Sequence, residues 1–199
     1  RFPVLVNIPN LEERTLNERL DFINYFFHEE SLRVNMPIKV SKGIVQALLL
    51  YDCPGNIGQL KSDIQMLCAI SFLDYIRYKY DYMEVKLSYA SCRLMDGFYR
   101  IRNNNKLLMD ILGTNYNDDY FYYGIDKPKE QFNLKDGFYE SIAKKWEELS
   151  DQGLNDTQKR REITIELNKQ FDTMLSKVKL SKSNSIMDTI SKIVEPRIL

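Results

Sequence analysis

The sequence predicts a mainly α protein: a three-helix unit, then a small α/β unit that ends in a long helix pair. Three observations carry this. Apolar residues recur at spacings of three and four over most of residues 15–80, the pattern changes to strict alternation over 82–89, and two long stripes of helical spacing occupy 134–178. At 44% hydrophobic and 12% aromatic residues, the 199-residue chain is able to bury a sizeable core.

The first helix is expected from about Thr15 to Leu32. Thr15-Leu16-Asn17-Glu18 reads as a capping box, and Leu16, Leu20, Ile23 and Phe27 then line one face. Met36-Pro37-Ile38 breaks it. Ser41 is placed to cap a short second helix lined by Ile44, Val45, Leu48 and Leu49, which has to end before Pro54. A third helix follows, capped by Asn56, with Ile57, Leu60, Ile64 and Leu67 as its buried stripe and an end near Tyr80. Beyond it, Met83, Val85 and Leu87 alternate with polar residues, which predicts a strand over Tyr82–Tyr89. A helix with Leu94, Phe98 and Ile101 is bent or broken at Asn103-Asn104-Asn105, and Leu107, Leu108, Ile111 and Leu112 form another that Gly113 closes. Tyr120-Phe121-Tyr122-Tyr123 reads as a second strand. Leu134, Phe138, Ile142, Trp146 and Leu149 stripe one long helix, ended by Gly153, and Ile163, Leu167, Phe171, Met174 and Val178 stripe its antiparallel partner. Ser181–Ser185 is a polar linker, and a new amphipathic start runs from Ile186. Residues 1–80, 82–180 and 181–199 are therefore expected as separate units, hinged near residues 77–82.

Composition excludes several functions. Twenty-eight basic and twenty-eight acidic residues cancel, so no excess charge drives binding to nucleic acid or to an anionic membrane. No apolar run approaches the roughly 18 residues of a membrane span, and no signal peptide opens the chain. Cys53, Cys68 and Cys92 are odd in number and widely spaced, as in a reduced, cytoplasmic protein, and are expected to serve packing. His28 is the single histidine, which excludes a His-rich metal site, and it reads as an ordinary surface or packing residue. Lys144-Lys145 and Lys159-Arg160-Arg161 are interleaved with acids and read as solvated helix faces. Of thirteen tyrosines, Tyr75, Tyr78, Tyr80 and Tyr82 crowd one stretch and Tyr116, Tyr120, Tyr122 and Tyr123 another, and they are expected to pack the two units together. With Arg1 in place of a methionine and an apolar run directly after it, the chain is expected to be a piece of something longer.

The most informative stretch is Tyr51–Leu60, "YDCPGNIGQL". Pro54 stops the second helix, Gly55 is expected to reverse the chain at positive φ, and Asn56 to cap the next first turn. Free amides of Ile57 to Gln59, with the helix dipole, would then form a weak anion site. Lys61, three residues past Gly58, would lie on the same face.

"YDCPGNIGQLKSDI" resembles the Y-x-W-P-G-N-x-R-E-L corner in the helical lid of AAA+ ATPases that activate sigma-54 RNA polymerase. "FPVLVNIPNLEER", Phe2–Arg14, resembles the segment by which such proteins enter the lid, with two extra residues between Val4 and Ile8. The corner with Cys53 and Gly58-Gln59 is similar to that of the LevR-type branch, regulators of sugar-uptake operons with phosphotransferase-regulated domains behind the ATPase. The resemblance covers residues 1 to about 76. It implies a lid, an α/β connector and the start of a regulatory domain at 181–199, in a parent that binds ATP and magnesium, assembles with its own copies and acts on sigma-54 polymerase, with phosphotransferase proteins as further partners. Pro54, Gly55, Asn56, Ile57, Gly58 and Lys61 would form the nucleotide side of the lid. Family members usually carry a phosphate-sensing arginine where this chain has Gly58, and Lys61 is the nearest substitute. The chain holds no phosphate loop, no magnesium-binding strand and no arginine finger, so the fragment itself is expected to be no enzyme and to hold no cofactor. Two alternatives stand beside this: a protein-interaction or oligomerisation module without nucleotide contact, and a DNA-binding regulator, for which no basic recognition helix is present.

Overall fold

A computed structural model of the chain describes residues 9–124 and 137–173. After a 3-10 turn at Leu11–Glu13 come α1 (Leu16–Val34), β1 (Ile38–Ser41), α2 (Lys42–Leu50), α3 (Asn56–Tyr78), β2 (Met83–Val85), α4 (Cys92–Arg100), α5 (Asn105–Leu112), β3 (Tyr120–Tyr123) and α6 (Gly137–Asp151). Residues 156–173 form α7. The described residues are mainly helical with one small sheet, as the periodicities require.

Local chemistry sets the element ends. At α1 the capping box forms as expected: the Glu18 amide donates to Thr15 Oγ1 at 3.2 Å, and the Thr15 amide donates to Glu18 Oε2 at 2.9 Å. Asn35 closes the helix in the left-handed region, at φ 54°. Ser41 sits at the start of α2 but its hydroxyl makes no capping bond. The 82–89 stretch is a strand only over Met83–Val85 and continues as a 3-10 turn at Leu87–Tyr89.

The sequence reading missed β1. Ile38-Lys39-Val40-Ser41, where the sequence predicts only a break and a cap, alternates buried with half-buried residues. It is the central strand of the sheet, in the order β2-β1-β3, parallel to β2 with Ile38 opposite Met83 and antiparallel to β3 with Ile38 opposite Tyr123. Ile38, Val40, Met83 and Val85 are fully buried on its inner face, where α1 and α3 pack, and Phe27 of α1 stacks on Tyr123 at 5.1 Å. The boundary expected near residue 82 thus falls inside a shared sheet and a shared buried cluster that runs from Leu11 to Phe171.

Further interfaces complete the body. α2 packs most extensively on α4, at Gly97, where an added Cβ would lie 2.3 Å from the Ala47 carbonyl oxygen and 2.8 Å from Tyr51 Cβ, so any larger residue would force the helices apart. α6 docks on α1 and α3 through fully buried Tyr139, which donates to the buried Glu30 carboxylate that also pairs with Arg33. α6 and α7 are antiparallel: Phe138 meets Phe171 edge-on at one end, and Lys159 Nζ lies 4.6 Å from the Trp146 ring at the other. α7 is tied to α3 by Arg160–Asp74 at 2.6 Å and Arg77–Asp156 at 3.1 Å. Leu134, Met174, Val178 and the 181–199 unit lie outside the described residues.

Cys53 and Cys68 are buried, whereas Cys92, expected in the core, is exposed. The tyrosines meet expectation in part. Tyr123 donates to Asn24 of α1 at 2.8 Å, and Tyr82 and Tyr120 flank Lys39 Nζ of β1 at 5.3 and 3.8 Å, so these rings do join the later stretch to the earlier one. Tyr75 stacks on Phe72, whereas Tyr78, Tyr80 and Tyr82 are 49, 50 and 37% exposed and stack on one another at 5.6 and 6.3 Å. His28 is exposed on α1. No helix among the described residues is long and apolar enough to cross a membrane, and no group of three or more His, Cys, Asp or Glu among them could hold a metal ion.

Candidate functional site: the corner between α2 and α3

The chain leaves α2 at Leu50 and enters α3 at Asn56. Tyr51 points inward from this corner and is 1% exposed. Its hydroxyl donates to Asp63 Oδ2 at 2.9 Å, two turns into α3, and Gln59 Nε2 donates to the same oxygen at 3.4 Å. Cys53 Sγ lies 3.1 Å from the Tyr51 hydroxyl and donates to the Asn56 carbonyl at 3.2 Å. From α1, Arg19 Nη2 donates to the Tyr51 carbonyl at 2.7 Å while its guanidinium lies 5.0 Å from the Tyr51 ring. The corner is therefore built on a buried polar network that joins α1, α2 and α3.

Burial governs the acid–base state of this network. It pushes the Tyr51 phenol far above its usual range, helped by the adjacent Asp63 charge. It also raises the Asp63 carboxyl, against the opposing hydrogen bond from Tyr51, and raises the Cys53 thiol. The Arg19 guanidinium is lowered by the same desolvation. Outside, Arg100 of α4 grips Asp52 through two hydrogen bonds of 2.7 Å each and holds its carboxyl below the usual value.

Two expectations about the turn are corrected. Gly55 does not carry the positive φ: its φ is −82°, and Asn56 takes the left-handed conformation at φ 61°. Nor does the Asn56 side chain cap α3. It reaches back to the lead-in, accepting from the Leu11 amide at 2.7 Å and donating to Asn10 Oδ1 at 3.1 Å. Asparagine tolerates this backbone better than other side chains. Glycine is required at 55 for a different reason: Gln59 folds back so that its Oε1 accepts from the Gly55 amide at 2.8 Å, and a Cβ at 55 would sit 2.7 Å from that oxygen and from Gln59 Cβ.

Pro54 and Gly58 are exposed, and Ile57 is half-buried. A Cβ at Gly58 would meet nothing within 4 Å, so a long side chain fits there. First-turn amides of α3 have no intrahelical acceptor by construction. Lys61 is exposed, and its ammonium leans over α1, 6.0 Å from the Phe26 ring. A hollow of about 320 Å³ lies behind the corner, between α3, the turn at 87–91, α4 and α7, with Asp63, Met66, Ile70, Leu94, Arg160 and Asn168 on its walls. Another, of about 280 Å³, lies between α6 and α7, away from the corner.

Sequence reasoning named the exposed rim of this corner and missed its supports. Gln59 and Asp63 are spaced four apart on the buried face of α3, and Arg19 sits on the apolar face of α1. Polar residues inside an apolar stripe were the available signal. Nothing in the local pattern marks Arg93, Gly97 or Arg100, which arrive from an element some forty residues away.

No family model matches the chain, and no solved structure matches it significantly. The chain is 41% identical over 73 residues, 37% of its length, to the transcriptional regulatory protein LevR of Bacillus subtilis (strain 168). Over 69 residues, 35% of its length, it is 38% identical to the transcriptional regulatory protein DagR of Salmonella typhimurium. Those stretches are 8% and 7% of the two proteins, so the chain spans less than a tenth of the relatives it matches. The chain thus shows a partial likeness to the transcriptional regulatory proteins LevR and DagR.

Proposed function

We propose that the chain is part of a LevR-type, sigma-54-dependent transcriptional regulator of sugar uptake or utilisation, supplying the lid of its ATPase module and a connector that carries the state of downstream regulatory domains to that module. The observation that carries this reading is the corner: a Pro-Gly-Asn turn held from behind by the Tyr51–Asp63–Gln59 network and left open in front at Gly58, in a chain with partial likeness to the transcriptional regulatory proteins LevR and DagR. In the parent, ATP and magnesium are bound by chain outside this stretch, and Pro54, Gly55, Asn56, Ile57, Gly58 and Lys61 wall the nucleotide from the lid side. Sigma-54 polymerase, further copies of the parent and phosphotransferase proteins are its partners. This stretch contacts neither nucleic acid nor membrane, and the parent works in the cytoplasm.

ATP turnover tests the reading. The 199-residue chain alone is expected to release no phosphate from ATP. In the full-length regulator, Lys61→Ala is expected to slow turnover with thermal stability nearly unchanged, and Gly58→Arg to restore part of the rate. Magnesium-dependent hydrolysis by the isolated chain would overturn the lid assignment. Unaltered turnover in Lys61→Ala would remove Lys61 from the site. One observation favours a second reading as an interaction module: the exposed row Tyr78, Tyr80 and Tyr82 has the composition of an interface core.

A further inference from the structure

We propose that α4 clamps the corner, with Gly97 and Arg100 as its positioning residues, so that a shift of α4 changes the order of the α3 first turn. The proposal rests on the reading of that turn as the nucleotide side of a lid. Three contacts from one face of α4 meet the corner. Gly97 seats against the Ala47 carbonyl and the Tyr51 backbone, which only glycine permits. Arg100 holds both oxygens of Asp52 at 2.7 Å and donates to the Leu50 carbonyl at 3.2 Å, one of the carbonyls that the end of α2 leaves without an intrahelical donor. Arg93 faces Asp63 Oδ1 at 3.8 Å, while Asp63 Oδ2 takes the Tyr51 hydroxyl.

The two ends of this contact differ in kind. Gly97 is a buried fit, whose loss would disturb the whole α2–α4 packing. Arg100 and Asp52 are largely exposed, so their pair adds little to global stability, yet a two-pronged guanidinium–carboxylate contact fixes direction as well as distance. A contact that orients without stabilising suits a positioning role. α4 is also linked onward: Leu94 and Ser91 share the 320 Å³ hollow with Arg160 and Asn168 of α7, the helix nearest the expected regulatory stretch. Movement of α7 against that hollow has a physical route to α4, and from α4 to residues 50–59.

Hydrogen exchange on the 199-residue chain tests the clamp without any nucleotide. Arg100→Ala is expected to raise exchange at Ile57–Leu60 by roughly two- to fivefold with the melting temperature held within about 2 °C. The swapped pair Asp52→Arg with Arg100→Asp is expected to bring exchange back towards the starting value. Unchanged exchange at the corner overturns the clamp. A rise spread evenly over α1–α4 overturns it too, because Arg100 would then be a general stabiliser. ATP turnover of the full-length regulator carrying Arg100→Ala separates the two layers: local loosening with altered turnover supports both, and local loosening with unaltered turnover supports the clamp while removing the nucleotide role of the turn.

Discussion

At the scale of single residues, the corner depends on a few side chains whose worth differs. Tyr51→Phe removes the donor to Asp63 Oδ2 without changing volume, and leaves a buried acceptor short of one partner. The expected loss is about 1–3 kcal/mol, read from urea unfolding. Asp63 has a pH signature of its own. Burial raises its carboxyl in the folded state, so the folded protein binds that proton more tightly than the unfolded chain does. Below the unfolded value of about 3.9 the group is neutral in both states, and the stability it contributes is fully present. That contribution is lost as pH climbs through the raised folded value. Asp63→Asn is therefore expected to remove a downward slope of stability that begins near pH 4, measured as the difference between wild-type and variant urea midpoints across a pH series. Asn56 is a third case. Asn56→Gly keeps the left-handed backbone and loses the bonds to Leu11 and Asn10, whereas Asn56→Ala loses those bonds and strains the backbone as well, so stability should fall in the order wild type, Gly, Ala. The Ala variant carries an extra penalty of about 1–2 kcal/mol for its backbone.

At the scale of elements, the helices were legible because each advertises itself locally. Thr15 with Glu18 starts α1, Pro54 stops the chain from continuing α2, and the Leu107–Leu112 stripe ends at Gly113. β1 was not legible, since four residues between two helices show alternation only when their partners at 83–85 and 120–123 are known. The same limit hid the true roles of Gly55 and Asn56. A Pro-Gly-Asn stretch announces a turn, but which residue goes left-handed depends on where Gln59 folds and what Leu11 needs, and both answers lie outside the turn. Of the corner, then, the rim was readable from spacing, and the supports from α1 and α4 were not. Gly97→Ala probes the largest unforeseen interface. With Ala47 O only 2.3 Å from the new methyl, α2 and α4 must separate, and destabilisation of at least about 1–3 kcal/mol is expected in thermal melts.

At the scale of the molecule, one buried cluster spans the described chain and the sheet ties its early and late parts together. A single cooperative unfolding transition is expected for the 199-residue chain, with Tyr and Trp146 fluorescence and far-ultraviolet circular dichroism superimposing. Residues 1–80 alone would keep α1, α2 and α3 and lose both neighbours of β1. Such a fragment is expected to melt without a sharp transition and to associate through the open edges of Ile38–Ser41. The order of manufacture brings out the same point. A ribosome delivers β1 well before β2, and β3 later still; at roughly 5–20 residues per second, the strand waits for seconds with both edges bare. The nascent chain therefore holds an adhesive segment open until residues 83–123 emerge, and whatever shields Ile38–Ser41 in that interval decides how much of the protein reaches its folded form.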